Sequence, residues 1–76
     1  STLKDAVKFS PDNVPLREHL ANSLMALGLY DEAEREYSTA LALAPDNEKI
    51  KLGLATASYH LSKYSQALVI VEDMLK

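Results

Sequence analysis

His19 and His60 are the only histidines in the chain, and an imidazole is the side chain best suited to bind zinc or to move a proton near neutrality. Zinc takes three or four protein ligands at recognisable spacings, and these two lie far apart with no cysteine to complete a set. The second chemical concentration is YDEAERE, which gathers Asp31, Glu32, Glu34 and Glu36. Paired carboxylates can serve as acid and base, but no nucleophile, metal set or phosphate loop accompanies them. Carboxylates also favour the positive end of a helix, by about 0.3–1 kcal/mol each when exposed. Asp31 and Arg35 are four apart and suited to pair across one turn. The expectation is therefore no enzyme, no cofactor and no metal site.

The elements that must carry these residues follow from composition and periodicity. Of the 76 residues, 47% are apolar and 25% charged, too hydrophobic for a disordered chain. Alanine and leucine dominate, while two glycines and three prolines leave few turns for a sheet. A net charge of −3 without a basic stripe argues against a nucleic-acid partner. No apolar run reaches the roughly 18–20 residues of a membrane span, and no signal-peptide pattern opens the chain. The absence of cysteine excludes disulfides and is compatible with a reducing compartment, so a cytoplasmic location is expected. The abrupt start at Ser1, within a helical pattern, and the end at Lys76 without a stop signal read as a segment of a longer protein.

Pro11-Asp12-Asn13 recurs as Pro45-Asp46-Asn47, 34 residues on. At that offset 10 of 42 aligned pairs are identical, against about 3–4 expected by chance, and a fixed period of this length marks a repeat array. The other matches are Ala6/Ala40, Leu20-Ala21/Leu54-Ala55, Leu27/Leu61, Tyr30/Tyr64, Ala33/Ala67 and Leu41/Leu75. One unit is written about twice.

Each unit reads as two helices. The first spans about Pro15 to Leu27, with Leu16, Leu20, Leu24 and Leu27 on one face. Asp12 or Asn13 caps it, Pro15 suits its first turn and Gly28 ends it in the left-handed conformation. The second spans about Asp31 to Leu43, with Ala33, Tyr37, Ala40 and Leu41 inward, and Asp31 and Glu34 at capping-box spacing. The next pair falls at about Asn47–Leu61 and Lys63–Lys76, and residues 2–9 correspond to the end of an earlier second helix. Residues 1–13, 14–47 and 48–76 are thus half a unit, a whole unit and a nearly whole unit.

This pattern resembles the tetratricopeptide repeat, a 34-residue helix-turn-helix. Leu20-Ala21, Leu24, Tyr30, Ala33, Tyr37, Ala40 and Pro45 carry the resemblance in the first full unit, and Leu54-Ala55, Tyr64, Ala67 and Val71 in the next. Small residues stand where paired helices cross, Ala21 with Ala33 and Ala55 with Ala67, while Tyr30 and Tyr64 fill the space between units. Arg17 and Lys51 replace the family's tryptophan, Ser58 its tyrosine, Ser62 its glycine and Met74 its small alanine. The resemblance implies an all-α solenoid of stacked antiparallel helical hairpins, about two repeats after a preceding half repeat. A further likeness, in VPLREHLANSLMALGLYDEAE, is to repeats that precede an AAA-type ATPase module in some bacterial proteins; these 76 residues hold no nucleotide-binding motif.

By the same resemblance the concave wall is built from each unit's first helix and presents Glu18, His19, Asn22, Met25 and Ala26, then Lys49, Leu52, Thr56, Tyr59 and His60. Asn22, Lys49 and Thr56 are the foremost candidates for ligand contact, and Tyr59 either anchors a partner or fills the seam between units. The family's carboxylate clamp is not reproduced, because Glu18 stands at a lysine position and Gly53 at an asparagine position. Leu68, Val69 and Ile70 are consecutive and apolar with Val71, so they spread around the last helix and are expected to mediate self-association. The function expected is a protein–protein interaction scaffold that binds a peptide or partner protein. The alternative is a structural or regulatory arm of a larger multidomain protein, attached to an AAA-type ATPase and self-associating through terminal helices.

Overall fold

A computed structural model describes residues 2–76; the expectation of helix at Ser1 falls outside them. Five helices follow one another: α1 (Leu3–Phe9), α2 (Val14–Ala26), α3 (Tyr30–Leu43), α4 (Glu48–His60) and α5 (Tyr64–Met74). Each packs on the next in chain order, α1 on α2 through α4 on α5, and α2 also touches α4. The result is a slab of 37 × 25 × 13 Å, and the expected all-α repeat of helical hairpins is what forms.

The repeated Pro-Asp-Asn is a helix start. Asn13 Oδ1 accepts from the Leu16 amide at 3.1 Å, and Asn47 Oδ1 accepts from the Ile50 amide at 3.0 Å, so the asparagine is the cap both times. The helix ends repeat as well. Gly28 has φ +76°, and the Leu29 amide reaches back to the Leu24 carbonyl at 2.9 Å, closing a Schellman turn. In the next unit the Lys63 amide reaches the Ser58 carbonyl at 2.8 Å, with Ser62 at φ 63° in the glycine's place. Serine holds there a backbone conformation that costs an L-residue about 1–2 kcal/mol.

Two local expectations need correction. Asp31 and Glu34 form no capping box: the Schellman turn runs directly into α3, so Leu29 becomes the cap residue and Asp31 sits inside the first turn. A capping box does occur one unit earlier, where Thr2 and Asp5 exchange side-chain and backbone hydrogen bonds at 3.2 and 3.3 Å. Leu27 does not share the buried face of Leu20 and Leu24; it ends α2 and is exposed, with Leu16 half-buried.

The core lies along the α2–α3–α4 seam: Leu20, Ala21 and Leu24, then Ala33, Tyr37 and Ala40, then Ile50, Leu54 and Ala57. Ala21, Ala33, Ala40 and Ala57 are fully buried, which lets the helix axes approach closely. By contrast α5 has no buried residue. Its Ala67, Val71 and Met74 are the counterparts of Ala33, Tyr37 and Ala40, which α4 covers, and among the described residues no helix lies over α5 in the same way.

A candidate binding groove between α2 and α4

A groove of about 360 Å³ lies where the first helices of the two units run side by side. Glu18, Asn22 and Met25 line it from α2, Lys49, Leu52, Gly53 and Thr56 from α4, and the Tyr37 side chain of α3 enters between them. Six of the ten wall residues expected from the sequence are thereby brought together: Glu18, Asn22, Met25, Lys49, Leu52 and Thr56. His19 is exposed but is not among the groove's lining residues. Tyr59 lines a second groove, between α4 and α5, which shares Leu52 and Thr56 with the first. His60 stacks on Tyr30 of the preceding unit, with ring centroids 4.5 Å apart and planes 6° from parallel, so Tyr30 does fill an inter-unit gap.

The sequence reading placed Tyr37 in the core and missed its second role. Its ring is buried while its hydroxyl donates to Asn22 Oδ1 in the groove. Burial, and secondarily the charge of Glu18, push the Tyr37 hydroxyl above its ordinary pKa, so at neutral pH it stays a donor. With Oδ1 occupied, the Asn22 amide is oriented with its two N–H groups available for a ligand. Gly53 is what allows the ring to lie there. A Cβ at residue 53 would fall 2.6 Å from Tyr37 Cζ and 2.9 Å from Cδ1, and nearer still to Cε1. The absence of asparagine at this position therefore has a steric cause: no side chain fits against this tyrosine. The signal available in the sequence was a glycine inside a strongly helical run, which often marks a close approach.

The charged rim is uneven. Among the described residues, neither Glu18 nor Lys49 has an ion-pair partner, whereas Lys4–Glu32, Arg17–Glu36, Lys51–Asp73 and Lys63–Glu34 are paired at 2.9, 2.8, 3.4 and 2.8 Å. Three of the four YDEAERE carboxylates are thus consumed in cross-helix pairs, and the expected Asp31–Arg35 pair does not form among the described residues. Glu34 also accepts from Gln66 Nε2 at 2.7 Å, and Gln66 in turn reaches the buried Ser58 hydroxyl at 2.6 Å. The Lys63 hydrogen bond holds the Glu34 carboxyl below the usual range, against partial burial, with Gln66 assisting. Thr56 directs its hydroxyl to the Leu52 carbonyl at 2.8 Å, so its proton is already committed.

The three residues expected to mediate self-association do not share a surface. Leu68 lines the α4–α5 groove, whereas Val69 and Ile70 line a separate hollow with Leu41, Pro45 and charged neighbours. Among the described residues no group of three or more potential metal ligands occurs, and no helix is long and apolar enough to cross a membrane.

A family model described as Tetratricopeptide repeat matches residues 30–76, the stretch from the start of α3 to the end of the chain. No curated protein matches the sequence.

Proposed function

The chain belongs to the tetratricopeptide repeat family, a protein-interaction fold that is typically non-catalytic, and from that premise we propose that it binds a peptide or extended segment of a partner protein in the α2–α4 groove. The observation that carries this reading is the convergence of Glu18, Asn22 and Lys49 from two successive units on one groove, with Asn22 oriented by Tyr37 and both charges free of internal partners. An oriented amide suits a peptide backbone, which offers carbonyl acceptors at every residue. A glutamate and a lysine in one groove favour a ligand of mixed charge. A wholly acidic tail is disfavoured by Glu18, and nucleic acid by the same carboxylate and the net charge of −3.

Selection from a random-peptide display library, followed by titration of the selected peptides, tests the reading. Asn22→Ala and Lys49→Ala are each expected to weaken binding by about tenfold, as for removal of one productive interface contact. Peptides that bind both variants within about twofold of the parent chain would place the site elsewhere.

A further inference from the structure

Both walls of the α2–α4 groove lie within the described residues, and their groups fall into levels along it. Consecutive helices joined by short turns pack antiparallel, so α2 and α4 run in the same direction. Tyr37 fixes their register: its hydroxyl donates to Asn22 and its ring lies against Gly53, so these two residues share a level. One helical turn earlier on each wall stand Glu18 and Lys49, and one turn later Met25 and Thr56. The two ends differ in chemistry. Glu18 is half-buried, has no ion-pair partner among the described residues, and lies close enough to the Tyr37 hydroxyl for its charge to act there. Lys49 is exposed, so water and salt screen it more, and the carboxylate is the stronger attractor at this end. The other end holds no charge. Met25 is apolar and half-buried, Thr56 has its hydroxyl proton committed to the Leu52 carbonyl, and the exposed Leu52 side chain adjoins them.

Length then selects the conformation of what binds. Each wall runs seven residues from its charged level to its uncharged one, about 10 Å of helix. A polyproline II segment returns a side chain to the same face every third residue, about 9 Å on. A β-strand does so at about 7 and 14 Å, too short and too long for the two ends. An α-helix matches the length after two turns, but its carbonyls are bonded internally and leave the oriented Asn22 amide no acceptor. Polyproline II has no internal hydrogen bonds, so its carbonyls are free to accept. Taking the α2–α4 groove as the binding site, on which this depends, we infer that it receives a polyproline II segment carrying a basic and an apolar side chain three residues apart. The basic group lies against Glu18, the apolar one against Met25, and a backbone carbonyl between them accepts from Asn22. An acid next to the basic residue comes within reach of Lys49, which keeps the ligand mixed in charge.

Nuclear magnetic resonance titration of the isotope-labelled chain, which locates a ligand and reads affinities as weak as millimolar, tests it. The probes are the end-blocked peptides Glu-Arg-Ala-Pro-Leu and its reverse, Leu-Pro-Ala-Arg-Glu, because side-chain spacing does not fix chain direction. The stronger binder is expected to shift the resonances of Asn22, Met25, Gly53 and Thr56. Its affinity is expected to fall at least about tenfold when the residues between arginine and leucine are shortened or lengthened by one. Replacing its arginine by citrulline, which keeps the shape and drops the charge, is expected to cost about fivefold on the parent chain and less than about twofold on Glu18→Gln. Indifference to spacing, or an equal citrulline penalty on Glu18→Gln and the parent, overturns the assignment of this ligand. So does a failure of both probes to move the groove resonances. In each of these cases the groove still stands as the binding site if library-selected peptides lose affinity in Asn22→Ala and Lys49→Ala; if they bind both variants as they bind the parent, the site falls with the ligand.

Discussion

At the scale of single residues, Gly53 and Tyr37 form an interlock whose sign magnitudes decide. Glycine inside a helix is worth about 1 kcal/mol less than alanine, so Gly53→Ala would stabilise α4 if space allowed. Space does not allow it, because the new methyl meets three atoms of a buried, rigid ring. Overpacking of this kind costs about 1–3 kcal/mol, and displacing the ring forfeits the hydroxyl bond to Asn22, about 1 kcal/mol more. Gly53→Ala is therefore expected to lower unfolding free energy by about 1–3 kcal/mol in urea titration. Tyr37→Val, which installs the residue found at counterpart position 71, is expected to abolish most of that penalty in a double-mutant cycle. A Gly53→Ala chain as stable as its parent would remove the steric account of this glycine, and with it the account of how Asn22 is held.

Among the elements, the cross-helix ion pairs supply what the alanine-rich seam lacks in directionality. Glu34 ties α3 to the turn between α4 and α5 through Lys63, and to the first turn of α5 through Gln66. Its carboxyl is held below the ordinary value of 4.5, so the unfolded chain takes up this proton more readily than the native one. The stabilisation is complete above pH 4.5 and is lost as pH falls through the lower native value. Lys63 is half-exposed, so the effect is small, about 0.5 kcal/mol. Stability measured by urea unfolding is expected to fall less steeply below about pH 4.5 in Glu34→Gln than in the parent; parallel curves would show that the pair contributes nothing. Element order was legible in the sequence because caps are local: Asn13, Asn47 and Gly28 set boundaries within a residue or two. What was illegible depended on neighbours in space. Leu27 has helical phase but no partner, Asp31 lost its capping role to the turn before it, and Leu68 and Val69 face different surfaces because consecutive residues on a helix point about 100° apart. The groove was half legible, since the register of the first helices brought out Glu18, Asn22, Lys49 and Thr56, whereas Tyr37 reaches it from the second helix.

On the scale of the whole molecule, a repeat array is stable roughly as the sum of its units and the interfaces between them. Here the sum is uneven. Five residues of α4 are buried and none of α5, although both helices have ordinary hydrogen-bonded backbones. Opening α5 uncovers part of the α4 face, including Ser58, but no buried residue of its own, whereas opening α4 uncovers Ile50, Leu54 and Ala57 together with the α3 face beneath them. Amide hydrogen exchange is accordingly expected to be graded, with α5 amides of residues 68–74 at least about tenfold less protected than those of residues 54–60 in dilute solution. Equal protection in α4 and α5 would mean that the array opens only as a whole, and the residue-by-residue burial would then be a poor guide to its cooperativity.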